Sequence, residues 1–363
     1  MLFKSYLHNL QYSLVILLIL FFTFCTEEKT EHAQVLHDKM SIKYAKHFGF
    51  IKKNNESLIF VSQNFKDTLF YHLSKPCTRI ITLGTIPAYQ LTRLYESDKI
   101  VGIDDIKYYN NNAIIKQFNT GKLLEVCPNM QWNYERIIAC KPSIIIAYDQ
   151  TNDNAKLQQV LSRNNIEFIL YYDYLENHPL ARAEWIKFLG ALQHKDSLAT
   201  AIFDSIETQY TTLKNKVQTS KKPTVYSEYL YGDVWYVAGK DSYISQLVKD
   251  AGGKYIFDFL DYESSQPQSL EFVLKYAQTA DYWINLGVFN SLQQIENQNS
   301  KYTLFKAFQN KKVYNNNKQL NRYQYNNYYE SGICNPNLLL LDMIKILHPD
   351  IINDTLQYYS LLK

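Results

Sequence analysis

The sequence predicts an α/β fold of two lobes, each built on a mainly parallel sheet, joined by one long helical segment. Three observations carry that expectation. From about residue 79, short β-branched runs alternate with helical periods, the pattern of a parallel sheet with crossovers. From about Leu180 to Val217 the spacing becomes helical without interruption, and Gly190 is the only glycine. After KKP at 221–223 the alternation of strand and helix returns.

The chain starts with a different signal. Lys4 precedes LVILLILFFTF at 14–24, an apolar run about half the roughly 20 residues a membrane-spanning helix needs. Residues 1–24 therefore read as a secretory signal peptide. A Cys directly after such a run, here Cys25, resembles a bacterial lipoprotein signal, in which cleavage leaves a diacylated N-terminal cysteine. Phe24 departs from the small residue usually found before that cysteine. Residues 25–77 are expected to form a lipid-anchored tether followed by a hairpin. Its strands are the two apolar halves of SLIFVSQNFKDTLFYHLS at 57–74.

The first lobe is assigned to 78–179. RIITLG at 79–84, KIVGI at 99–103, IIIA at 144–147 and EFILYY at 167–172 are its strands, with AYQLTRLYE and LQQVLSRNN as helices. Within it, WNYERIIACKP gives a helix capped at Asn133, with Glu135 in its first turn and Pro142 as its stop. Residues 180–219 form the connecting helix, about 55 Å long if 38 residues run unbroken. The second lobe, 220–363, offers strands at TVYSEYL, DYWINLG and KKVYNN. Its helices are SYISQLVKDAGG, the segment 269–277 with Glu271 in the first turn, and NPNLLLLDMIKILHP.

Composition narrows the function classes. Hydrophobic residues make up 46% and charged residues 20%, as in a globular body. The formal charge of +3 lacks the basic surface that nucleic-acid binding requires. The sequence contains no GxSxG, GxGxxG, P-loop or HExxH, so nothing marks an enzyme. Cys77, Cys127, Cys140 and Cys334 allow three pairings, which spacing does not separate, and Cys140 falls on the apolar side of its helix. The eight histidines are scattered. Only His178, at the junction of the first lobe and the helix, is well placed for a cleft, and helix-start packing accounts for it. A zinc or manganese carrier is the weaker alternative for that reason, and no metal ligands are assigned.

The order RIITLG, KIVGI, NYERIIACKPSIIIAY, long helix, DAGGKYIF, SLEFVL, KKVYN and NPNLLLLDMIKILHP resembles the substrate-binding proteins of ABC importers for ferric siderophores, haem and cobalamin. The likeness spans roughly residues 78 to 350, and YLENHPLARAEWIKFLG is similar to a lipoprotein branch of that family. It implies a carrier without cofactor or catalytic residues. Such a carrier would be periplasmic and lipid-anchored, delivering an iron chelate or cobalamin to a permease dimer in the inner membrane. The acidic Glu27 and Glu28 after Cys25 resemble surface-export signals, so handing the ligand to an outer-membrane transporter is the alternative.

The resemblance also gives Glu135 and Glu271 a role, as the exposed carboxylate each lobe presents to permease arginines. A carboxylate in a first helical turn is stabilised by the helix macrodipole and stays available for ion pairs at an interface rim. The ligand is expected between the lobes at the C-terminal ends of the strands. Thr85, Tyr148 and Tyr172 are then in reach from the first lobe, and Tyr231, Trp235, Tyr236 and Arg322 from the second. The aromatics would stack on a flat chelate, and Arg322 would clamp an anionic oxygen.

Overall fold

The computed structural model describes residues 41–53, 56–63, 68–72, 76–148, 155–217 and 221–363. The signal segment and Cys25 lie outside the described residues. Strands β1 (Phe48–Lys53), β2 (Glu56–Ser62) and β3 (Thr68–His72) form an antiparallel sheet, β2 and β3 being the hairpin expected from the sequence. Phe48 leaves this sheet to pack 4.7 Å from Trp185, and the Leu170 amide donates to the Tyr71 hydroxyl at 3.2 Å.

The first lobe is a five-stranded parallel sheet of β4 (Ile80–Leu83), β5 (Ile100–Ile103), β6 (Leu124–Glu125), β7 (Ile144–Ala147) and β8 (Glu167–Leu170), in the order β6-β5-β4-β7-β8. Every residue of β4 and β7 is buried, as two-sided covering by helices requires of a parallel sheet. Those helices are α1 (Thr85–Arg93), α2 (Asn112–Asn119), α3 (Tyr134–Cys140) and α4 (Ala155–Arg163). The Arg136 amide donates to the Asn133 side chain at 2.9 Å, which starts α3, and Lys141 in a left-handed conformation ends it before Pro142.

The segment expected as one continuous helix is helical in three pieces, α5 (Pro179–Glu184), α6 (Ile186–Leu192) and α7 (Asp196–Lys216). The chain turns back at Gln193–Lys195, where His194 takes φ 52°, and α7 lies against α6. Gly190 makes the approach possible, since a Cβ there would sit 2.4 Å from that of Ala199. The longest piece, α7, has 21 residues and so spans about 32 Å, short of the 55 Å expected.

The second lobe repeats the plan. β9 (Thr224–Ser227), β10 (Leu230–Tyr231), β11 (Val234–Ala238), α8 (Tyr243–Asp250), β12 (Lys254–Tyr255), β13 (Ser265–Gln268), α9 (Leu270–Ala277), β14 (Tyr282–Ile284), α10 (Leu292–Gln298), α11 (Lys306–Gln309), β15 (Val313–Asn315), α12 (Ser331–Cys334), α13 (Pro336–Leu347) and β16 (Ser360–Leu361) follow in order. The main sheet runs β12-β9-β14-β15-β16, parallel except for β16, and β10-β11-β13 form a small antiparallel sheet beside it. The Phe272 amide donates to Ser269 Oγ at 3.2 Å to start α9.

The C-terminal helices join the lobes. α13 packs along α7, and α12 packs on α1 and α5. Across the same interface Arg93 donates to Asn335 at 3.0 Å, and Asn335 donates to the Tyr89 hydroxyl at 3.0 Å.

Candidate ligand cleft

Parallel strands place their C-terminal ends on one edge of a sheet, and here the two edges face each other. Gly84 and Thr85 follow β4, Tyr148 follows β7, and Tyr171 and Tyr172 follow β8. From the other lobe, Glu228 follows β9 and Asn285 follows β14. Part of the space between is filled by the chain at 321–330. There Asn321 donates to the carbonyls of Lys107 and Tyr109 at 2.8 and 3.1 Å, and the Asn110 amide donates to Glu330 at 2.5 Å. Among the described residues a cavity of about 370 Å3 lies open there, within the range of small-molecule sites.

Tyr174, Arg182, Glu228, Tyr243, Asn285, Tyr328 and Tyr329 line this cavity. Tyr174 is held edge-on to Tyr148 with ring centres 5.5 Å apart. Arg182, from α5, donates to Asp173 Oδ2 through Nη2 at 2.9 Å and Nε at 3.2 Å, and lies 5.6 Å from the centre of the Tyr243 ring. Burial works against the ionised form of Asp173, and the guanidinium offsets part of that penalty.

Glu228 stands differently. Its φ of 69° is left-handed, a conformation that disfavours a side chain of this kind, and Asn285 beside it has φ 60°. Among the described residues no hydrogen-bond donor reaches the Glu228 carboxylate, and burial alone pushes its pKa up to about 7. The Tyr243 hydroxyl is buried without a partner among the described residues. The arrangement combines aromatic walls, a cation already neutralised and an uncompensated carboxyl. It can bind a solute by stacking and hydrogen bonding.

The residues expected from the sequence fall into three groups. Thr85, Tyr148 and Tyr172 sit at first-lobe strand ends but not on the cavity wall. Gly84 presses on the Tyr148 ring, and Tyr172 lies 6.4 Å from the Tyr174 ring it backs. Trp235 requires correction. It is fully buried, donates from Nε1 to the Ser227 carbonyl at 3.0 Å and packs against Tyr226, Trp283 and Phe305, so it belongs to the lobe core. Tyr231 and Tyr236 are exposed on the small antiparallel sheet, and Arg322 is exposed with its guanidinium 4.7 Å from the Tyr323 ring. None of the three lines the cavity.

Glu135 and Glu271 are exposed, each the second residue of its helix. Glu271 accepts from Lys301 at 3.1 Å. Its own backbone amide, and then that lysine, hold its carboxyl below the usual range. His178 caps α5, accepting from the Leu180 amide at 3.1 Å, and stacks on Tyr44. The four described cysteines are thiols, and Cys140 is buried.

Sequence reasoning missed Arg182, Glu228, Tyr174, Tyr243, Tyr328 and Tyr329. Glu228 lay inside the predicted strand TVYSEYL and Tyr174 two residues beyond the predicted strand EFILYY, so neither was marked as a strand-end residue. Arg182 carried a hint, a rare arginine in a helix where all but one of the six residues is buried.

Residues 80–320 match a family model described as periplasmic binding protein. Among proteins, the chain is similar to an uncharacterized lipoprotein of Methanocaldococcus jannaschii, 25% identical over 77% of this chain and 67% of that one. A second uncharacterized protein of that organism is 25% identical over 85% and 91%. Among solved structures, a possible iron-binding periplasmic solute-binding protein of Staphylococcus epidermidis aligns with TM-score 0.60 and 20% identity, over 76% of this chain and all of that one. A periplasmic haem-binding protein of Pseudomonas aeruginosa aligns with TM-score 0.60 and 15% identity, over 78% and 97%. At these identities the solved structures speak for the fold.

Proposed function

The chain belongs to the periplasmic binding protein family, and from that premise we propose that it is the substrate-binding lipoprotein of an ABC importer. It captures an iron chelate, siderophore or haem, or cobalamin, and hands it to a permease dimer in the inner membrane. The observation that carries this reading is the cavity between the facing strand ends, walled by four tyrosines from both sides. Iron-binding and haem-binding proteins among the similar folds support the ligand class, and a lipoprotein among the relatives supports the anchor at Cys25.

Glu135 and Glu271 suit docking. Each is exposed, sits in the first turn of a capped helix, and comes from a different lobe, so that a permease contacting both senses how the lobes are arranged. The carrier role is tested by titrating the purified protein with haem, cobalamin and ferric siderophores, read through tryptophan and tyrosine fluorescence. Saturable quenching by one of them is expected, and no response to any refutes the ligand class. Docking is tested with Glu135→Ala, Glu271→Ala and the double variant. Ligand affinity stays unchanged while uptake in cells falls, most for the double variant; normal uptake by the double variant removes the docking role.

A further inference from the structure

The charges of the cleft are unevenly compensated, and this bears on what it accepts. Its cation, Arg182, is committed to Asp173. Glu176, also on the lining, is committed to the backbone amides of Lys46 and His47 and to Trp185 Nε1. Glu228 is not committed to anything. No cation among the described residues lies close enough to hold its charge, and the side chains that feel it are the phenols of Tyr229, Tyr255 and Tyr329. A half-buried carboxylate bordered by aromatic rings is an incomplete receptor for a positive nitrogen. The carboxylate supplies the counter-charge and the acceptor, and the ring faces add cation–π attraction. Among the described residues of this wall, a multiply anionic solute would meet the carboxylates of Glu228 and Glu263 and no free cation.

Resting on the reading of the cleft as the solute site, we propose that it selects a solute bearing a cationic nitrogen, an ammonium or amidinium, which docks on Glu228. Glu228 is then the specificity-determining residue of the carrier. Its left-handed backbone has a function on this account, because it turns the carboxylate from the end of β9 into the cavity. A bound cation completes the pairing that the described side chains leave open.

The test uses the purified full chain in detergent and two chelates that differ at one group: ferrioxamine B, whose trihydroxamate carries a free ammonium, and its N-acetyl derivative, in which that ammonium is capped. Haem and ferric enterobactin are the anionic comparators. The wild type should bind the ammonium form at least about tenfold tighter than the capped form, equivalent to about 1.4 kcal/mol. Glu228→Gln should abolish that preference, so that the ammonium and capped forms bind alike. Glu228→Asp, which keeps the charge, should retain part of the preference and guards against a folding defect in the first variant. Equal binding of the two forms, or binding of an anionic comparator in preference to both, overturns this proposal and leaves the carrier role standing. Failure of every chelate to bind overturns both.

Discussion

Replacing Asp173 by Asn tests how the cleft is built. Asp173 is fully buried, and the Arg182 side chain is 17% exposed. Breaking a buried pair by neutralising one partner costs about 3–5 kcal/mol, because the other charge is left uncompensated. Arg182 borders the open cavity, so the lower end, about 3 kcal/mol, is the expected loss. With an unfolding entropy of about 2.1 cal/mol/K per residue, a chain of 363 residues then loses about 4 °C in Tm. Urea unfolding followed by tryptophan fluorescence is the assay, since Trp185, Trp235 and Trp283 are fully buried and report both lobes. Arg182→Met combined with Asp173→Leu should recover much of the loss, as apolar replacement of a buried pair often does. A loss below about 1 kcal/mol for the Asn variant, or a double variant weaker than the single, would show that the pair is not the neutralised unit described here.

Other consequences concern pH and motion. Burial raises the carboxyls of Glu228 and Glu330 to about 7 and that of Asp104 to about 6. These groups hold their protons more tightly folded than unfolded, so stability of the unliganded protein should fall as pH rises from about 4.5 to 7. For Glu330, which faces Asn110, Asn111 and Asp104, the contribution has a ceiling of about 3 kcal/mol. Glu330→Gln should flatten the pH profile, and a profile that rises over this window in denaturant titrations would refute the assignment. The packing of α13 on α7 and the hydrogen bonds through Asn335 hold the lobes on one side of the cleft, so closure on ligand binding should be small. Solution scattering checks this, and a large drop in radius of gyration on adding ligand would contradict it.

The central strands of the two parallel sheets were legible in the sequence because they are short, apolar and largely buried, whereas the small antiparallel sheet, with its exposed SQPQ strand, was not. IITL and IIIA have no other plausible place, and Pro142 marks where a helix gives way to a strand. The break in the connecting segment was not legible. It depends on the tertiary approach of Ala199 to Gly190, and a helical period continues across a turn that only packing reveals. The cleft was legible as a region but not as a set of side chains. In a chain with 31 Tyr, an aromatic residue after a strand is as often a core residue as a binding one, which is why Trp235 looked suitable and Tyr174 did not stand out. Glu228 carries no periodic signal, and neither its left-handed backbone nor its lack of a partner can be read from neighbouring letters. Glu135 and Glu271 stood out for the opposite reason, since helix starts have a recognisable order of cap and carboxylate.

The central claim is that solute binds between the strand ends of the two lobes. Hydrogen exchange of the full chain, with and without the tightest-binding chelate, tests it most directly, because protection reports where ligand contact suppresses local opening. Slowed exchange is expected at residues 172–178, 228–231, 242–245 and 327–333, with the helices bearing Glu135 and Glu271 unchanged. Protection confined to those helices or to the sheet of β1, β2 and β3, with the cleft segments exchanging as before, would contradict it.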